Sequence, residues 1–218
     1  MSDNIKVTTG QGSVPVNKEL ALILFAKAPI AGKVKTRLMP QLSAEQATKV
    51  AEKLLEESIK LAVQAWPGRV VLAVWPNSEH PFLQKMLSQY SIEWMRQAAG
   101  DLGHKMHQAM RQQNYPCAVM GCDVPHCPPQ VLRSVYQRLQ EGESVLGPTS
   151  DGGYYLMGLQ TPQPALFANV EWGTETVLDT TLALAKSQQL RFYLLPELND
   201  IDTADDLEQA KKVLPSLL

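Results

Sequence analysis

The chain has 218 residues, 44% apolar and 19% charged, with 20 Lys+Arg against 22 Asp+Glu and a formal net charge of −2. That length suits one large domain whose core needs no disulfide or metal staple, and three cysteines are too few for a disulfide framework. The charge balance excludes a general nucleic-acid binder, whose electrostatic footprint is basic. The longest uninterrupted apolar run, Leu20 to Ala26, falls far short of the ~20 residues of a membrane helix.

Residues 1–18 (MSDNIKVTTGQGSVPVNK) are polar and lack the apolar stretch of a signal peptide. They read as a flexible tail ahead of a single domain over residues 19–218. Unpaired cysteines fit a reducing, cytoplasmic location.

The first predicted strand is Leu20–Ala26 (LALILFA), apolar throughout as in a strand buried on both faces. The loop after it, AKAPIAGKVKTRL, sets Lys27, Lys33, Lys35 and Arg37 around Gly32 with no acidic residue among them. Phosphate oxygens are natural partners for such a group, Arg37 being able to bind bidentately. A solvated basic loop is the alternative. A Walker A loop is excluded, because Lys33 is followed by Val34 and Lys27 stands where the first glycine belongs.

Ser43–Trp66 carries apolar residues at helical spacing behind a Ser43/Gln46 capping box. A second buried strand over Val70–Trp75 and a helix over Phe82–Tyr90 follow. Next come a helix over Leu102–Gln113 and a third buried strand over Cys117–Gly121. His104 and His107 could share a face of the former without any paired ligand motif. Asp123 directly follows that third strand, in GCDVP. It reads either as a turn former before Pro125 or as a ligand for a divalent cation. Cys117, Cys122 and Cys127 do not have zinc-site spacing.

A helix over Pro129–Gln140 leads to weaker strands at Ser144–Pro148 and Tyr154–Leu159, the latter breaking the alternation and predicting an antiparallel excursion. Between them, TSDGGYY (Thr149–Tyr155) is a tight turn in which Asp151 could act as a general base or hold a hydroxyl. A helix over Thr176–Gln188 and a strand over Phe192–Leu195 precede the acidic NDIDTADDL. Asp200 and Asp202 there share a face of an extended segment. Asp205 and Asp206 suit the first turn of a helix over Ala204–Val213 capped by Thr203. Strand–helix alternation of this kind predicts a three-layer α/β, Rossmann-like domain with a mostly parallel sheet. Ligands in such sheets bind outside the carboxyl ends of the strands, where these four loops would converge.

Taken in order, FAKAPIAGKVKTRL, QAAGDLGHKM, MGCDVP, GPTSDGGYYLMGL, VEWGTETVL and NDIDTADDL resemble a bacterial glycosyltransferase-like family of formerly unknown function, of the arsenosugar-biosynthesis type. That family sits within the nucleotide-diphospho-sugar transferase superfamily, with the GT-A fold. The resemblance spans about Leu20 to Leu207. It implies that Gly32, Lys33, Lys35 and Arg37 contact the nucleotide phosphates, with Lys27 more peripheral. Gln97, Gly100, Asp101 and Gly103 would lie near the base or ribose. Asp123 and Asp202 would hold Mg²⁺ or Mn²⁺ with Asp200 beside them, although Asp123 is a single carboxylate where many GT-A enzymes keep Asp-x-Asp. Asp151, Gly152, Gly153, Tyr154, Trp172 and Thr174 would face the acceptor.

The expectation is therefore a metal-dependent glycosyltransferase moving a sugar from a nucleotide-diphosphate donor to a small acceptor. Asp151, Lys35 and Arg37 would be its catalytic residues. A nucleotidyltransferase using an NTP and a phosphorylated acceptor is the alternative, since its first loop is similar. A nucleotide-binding protein without turnover is the third. Neither nucleic acid nor membrane is an expected partner, and the oligomeric state is open.

Overall fold

Three apolar strands that lie side by side form the middle of a seven-stranded sheet: β1 (Ala21–Lys27), β2 (Arg69–Trp75) and β4 (Cys117–Gly121). The computed structural model describes residues 20–213, so the expected tail over residues 1–18 lies outside them. The other strands are β3 (Glu93–Arg96), β5 (Ser144–Pro148), β6 (Tyr154–Leu159) and β7 (Phe192–Leu194), in the order β3-β2-β1-β4-β6-β5-β7. β6 pairs antiparallel with both β4 and β5, and every other pairing is parallel. The break in alternation expected at Tyr154–Leu159 is thus an antiparallel strand inserted in the sheet.

The helices are α1 (Ala44–Ala65), α2 (Pro81–Tyr90), α3 (Leu102–Gln113), α4 (Pro129–Gln140), α5 (Val177–Ser187) and α6 (Ala204–Val213). Side chains alternate across a strand, and β1 divides accordingly. Leu22, Leu24 and Ala26 pack with α1, α2 and α4, whereas Ala21 and Ile23 pack with α3 and α5. Both faces of β1 are therefore covered, which is why its sequence is apolar without interruption from Ala21 to Ala26. Full burial of Leu22, Ile23 and Leu24 stabilises the fold by roughly 1.5–3 kcal/mol for each side chain.

The Ser43 capping box forms: Ser43 Oγ accepts from Gln46 N–H at 3.2 Å, and Gln46 Oε1 accepts from Ser43 N–H at 2.8 Å. Boundaries otherwise move by one or two residues, as helix and strand ends commonly do. β3 is the element that apolar patterning misses. Its Glu93, Trp94 and Arg96 are exposed and only Met95 is half-buried, because an edge strand on a sheet rim needs pairing with β2 more than burial.

A third, smaller apolar cluster matters most for function. Leu38 from the first loop packs with Ile201 and Leu207 of the acidic segment, and with Ala47, Val50 and Leu54 of α1. Burying those side chains together draws the basic and acidic segments to one place.

Candidate active site

The basic loop leaves β1 and turns through Lys35, whose backbone is left-handed at φ 46°, ψ 41°, into a single 3₁₀ turn over Thr36–Leu38. A non-glycine residue in that region carries of the order of 1–3 kcal/mol of strain, and buried Val34 and Leu38 on either side hold the loop against it. The turn aims Lys35 inward. Its Nζ lies 2.7 Å from Asp123 Oδ1 and 2.9 Å from Asp202 Oδ1, and donates to the Ile201 carbonyl at 2.6 Å. The Lys35 side chain is 8% exposed. Burial alone pushes its pKa down, but Asp123 and Asp202 together outweigh that and raise it, so it stays an ammonium. Arg37 reaches Asp202 Oδ2 at 3.3 Å from an exposed position. Lys27, Gly32 and Lys33 are exposed, and neither lysine has an ion pair among the described residues.

Asp123 follows β4, and its carbonyl accepts from Ile201 N–H at 3.0 Å. Asp202 is pinned from the far side by Asp206, whose Oδ2 accepts from the N–H groups of Asp202 (3.2 Å) and Thr203 (2.7 Å) and from the Thr203 hydroxyl (2.7 Å). Thr203 Oγ1 accepts in return from Asp206 N–H at 3.3 Å, a reciprocal cap. Although desolvation opposes it, these bonds hold the Asp206 carboxyl below its ordinary range.

Asp200 occupies a different environment. Desolvation, with the neighbouring carboxylates Asp123, Asp151 and Asp202, pushes its pKa up to about 7, Lys35 opposing. Asp123 and Asp202 share the buried Lys35 ammonium, and with Asp151 and Asp200 close to them the acidic groups of the cleft outnumber it. This favours an added cation. No group of three or more His, Cys, Asp and Glu arranged to hold a metal occurs among the described residues. A divalent ion here would draw on Asp123, Asp202, ligand phosphates and water, a donor set that suits Mg²⁺, which keeps water and takes few protein ligands.

The turn after β5 closes on the same edge. Asp151 Oδ1 accepts from Thr149 Oγ1 at 2.6 Å and from Gly153 N–H at 3.1 Å, while Ser150 Oγ donates to Asn199 Oδ1 at 2.6 Å. Gly152 has φ +83°, and a Cβ there would sit 2.0 Å from the Glu175 carbonyl oxygen. Its own carbonyl accepts from Leu178 N–H at 2.8 Å, so the glycine turn is tied to the first turn of α5 and packs closely on Glu175. Thr174 Oγ1 donates to the Glu171 carbonyl at 2.8 Å. The Tyr154 and Trp172 rings meet edge-on at 6.3 Å and pack on the second apolar cluster. Trp172 in turn lies where a Cβ on Gly103 would fall, 2.4 Å away.

On the expected nucleotide side, several groups serve the fold. The buried Gln97 amide donates to the carbonyls of Ala26 (3.1 Å) and Ala73 (2.9 Å). Asp101 caps α3, accepting from His104 N–H at 2.7 Å, and Gly100 beside it has φ +116°. Two features escape the sequence reading. One is the crowding of Asp200. The other is Trp75, opposite Lys27 in register, with Lys105 Nζ 4.7 Å and Arg96 Cζ 5.9 Å from its ring centroid. The position of Trp75 at the end of an apolar run was the available signal.

Residues 58–174 match the family described as "Uncharacterized protein conserved in bacteria (DUF2064)", and the chain belongs to that family. No curated protein sequence matches it. Among solved structures, it is similar to a protein of Desulfovibrio desulfuricans G20 described as a "putative nucleotide-diphospho-sugar transferase". The two are 26% identical over 91% of this chain and 89% of that one, with a TM-score of 0.82. CTP:phosphocholine cytidylyltransferase of Streptococcus pneumoniae shares the fold at 12% identity, 89% and 98% coverage and a TM-score of 0.57. Rv0371c of Mycobacterium tuberculosis H37Rv, solved in complex with manganese, shares it at 16% identity, 87% and 96% coverage and a TM-score of 0.54. The fold is that of the nucleotide-diphospho-sugar transferases, GT-A-like.

Proposed function

We propose that this member of the family is a metal-dependent glycosyltransferase that takes a nucleotide-diphosphate sugar and a small acceptor. The observation that carries the reading is the meeting of Lys35 with Asp123 and Asp202 at the carboxyl edge of the sheet. Opposite charges gathered there, with further carboxylates in excess, suit a diphosphate and its Mg²⁺ or Mn²⁺. The likeness to a structure described as a putative nucleotide-diphospho-sugar transferase supports the same substrate class.

In this reading Asp123 and Asp202 hold the metal, which when bound supplies Lewis-acid neutralisation of the diphosphate. Lys33, Lys35 and Arg37 bind phosphate oxygens and stabilise the charge that grows on the leaving nucleotide. Gly32, with φ +75° and open space where a side chain would stand, lets the ligand approach the backbone. Asp151, held by the Thr149 hydroxyl and Gly153 N–H, orients the acceptor hydroxyl and takes its proton. Gly152, Gly153 and Thr174 shape the acceptor side, and Tyr154 and Trp172 support that wall from behind. Lys27, Gly100 and Gly103 border the nucleoside end.

Nucleotidyl transfer is the second reading, favoured by the shared fold with a cytidylyltransferase. Incubation with mixed nucleotide-sugars and NTPs, followed by mass spectrometry, separates the two. Release of nucleoside diphosphate with a glycosylated product supports glycosyl transfer. Release of pyrophosphate overturns it in favour of the second reading, and absence of turnover with every donor overturns both.

A further inference from the structure

We infer that the Lys35 ammonium and a divalent cation compete for the same two carboxylates, so that metal enters this site together with a diphosphate and poorly by itself. The inference rests on the proposed function, because it takes Asp123 and Asp202 as the metal-holding pair. Lys35 Nζ engages Asp123 Oδ1 at 2.7 Å and Asp202 Oδ1 at 2.9 Å, and the Ile201 carbonyl is its third acceptor at 2.6 Å. An ammonium has three N–H donors, and all three have acceptors here. Lys35 therefore fills the electrostatic role between the carboxylates that a metal would take.

A dication drawn to those oxygens meets a like charge held in a poorly solvated position, where charges interact more strongly than in water. It can bind well only if Lys35 leaves. Lysine is suited to leaving, being a point charge on a flexible stem rather than a rigid fork. Its backbone need not move with it, since Val34 and Leu38 stay buried on either side. What the ammonium requires is another anion within reach of the same loop. A diphosphate beside Lys33 and Arg37 supplies one, so each component of a metal–diphosphate complex removes the obstacle to the other. Arg37 differs in kind: its contact with Asp202 is longer, at 3.3 Å, and its side chain is 68% exposed.

Mn²⁺ retained with the protein on ultrafiltration tests this without any assay of turnover, with inorganic pyrophosphate as a diphosphate probe that carries no base. Wild type alone should bind Mn²⁺ weakly, and pyrophosphate should increase its retention. Lys35→Met should bind Mn²⁺ alone at least tenfold more tightly and gain less from pyrophosphate. Lys35→Arg, which keeps a cation, should bind Mn²⁺ alone no more tightly than wild type and, as a rigid fork, should gain no more from pyrophosphate. Arg37→Met, which removes the same charge from an exposed position, should tighten binding less than threefold. If Lys35→Met does not fold by circular dichroism, Lys35→Gln takes its place. Unchanged or weaker Mn²⁺ binding in the folded Lys35 variant, with Asp123→Asn abolishing retention, overturns the competition and leaves the metal site standing. A tightening matched by Arg37→Met also overturns it, as an effect of net charge. No retention in any protein, with or without pyrophosphate, overturns both this inference and the metal-dependent reading.

Discussion

Lys35 Nζ donates to Asp202 Oδ1 at 2.9 Å across a sequence separation of 167 residues. The bond joins the loop after the first strand of the sheet to the segment leading into the last helix. It exists because Leu38 and Ile201, close by in each segment, are buried in the same apolar cluster. Asp202→Asn removes the ion pair while keeping the shape. Lys35 retains Asp123, and the Asp202 side chain is 36% exposed, so the expected loss is modest, about 1–2 kcal/mol. Urea unfolding reads that loss, and product formation from a nucleotide-sugar should fall at least 100-fold if the carboxylate holds the metal.

The pH dependence of stability should carry the signature of Asp200. Its folded pKa of about 7 stands above the ordinary 3.8, so the native state holds a proton that the unfolded chain releases. Stability from this group is complete below pH ~4 and is lost as the pH rises through about 7. Melting temperatures measured in EDTA should decline across that window. In Asp200→Asn the decline should be markedly flatter, and an unchanged slope would show that the carboxyl does not titrate as described.

Asp206→Ala tests the pinning of Asp202. Loss of the reciprocal cap should cost about 1 kcal/mol near neutral pH. Because the Asp206 carboxyl titrates below its ordinary range, that contribution is present above the unfolded pKa and disappears as acid protonates it. The gap in stability between variant and wild type should therefore close at low pH. A gap independent of pH would point to lost packing instead.

Gly152→Ala should damage both fold and site. A methyl there meets the Glu175 carbonyl at 2.0 Å, and φ is +83°, so strain and a backbone clash combine to about 3 kcal/mol or more. Gly103→Ala meets a side chain, the Trp172 ring at 2.4 Å, and should cost about 1–3 kcal/mol. Combined with Trp172→Ala, Gly103→Ala should cost less than it does alone. Additive losses would mean that the ring is not what the methyl strikes.

The strands and helices that bury apolar faces could be read from pattern. β1, as far as Ala26, and β4 are apolar without interruption because both faces are covered, and α1 announces itself by the Ser43 box and helical spacing. β3 could not be found this way, since its sequence, EWMR, mixes charged and apolar residues, whereas the other edge strand, β7, reads FYL. Position after a strand was enough to nominate Lys35, Asp123, Asp151 and Asp202, because the carboxyl edge of an α/β sheet is where loops converge. Gln97 and Asp101 were nominated only by the family resemblance, and their side chains bond the fold's own backbone.

By itself, the sequence determined which loops follow which strands and which charges they bring, since the succession of elements along the chain and side-chain chemistry are local matters. Tertiary structure alone decided how those charges are partnered. Lys35 lies between Asp123 and Asp202, and Asp200 is left crowded by carboxylates. The physical reason is that a charge's partner and its solvation depend on distance and burial, and both are set by apolar packing between segments far apart in the chain. The near-zero total of 20 basic and 22 acidic residues contains no trace of that arrangement.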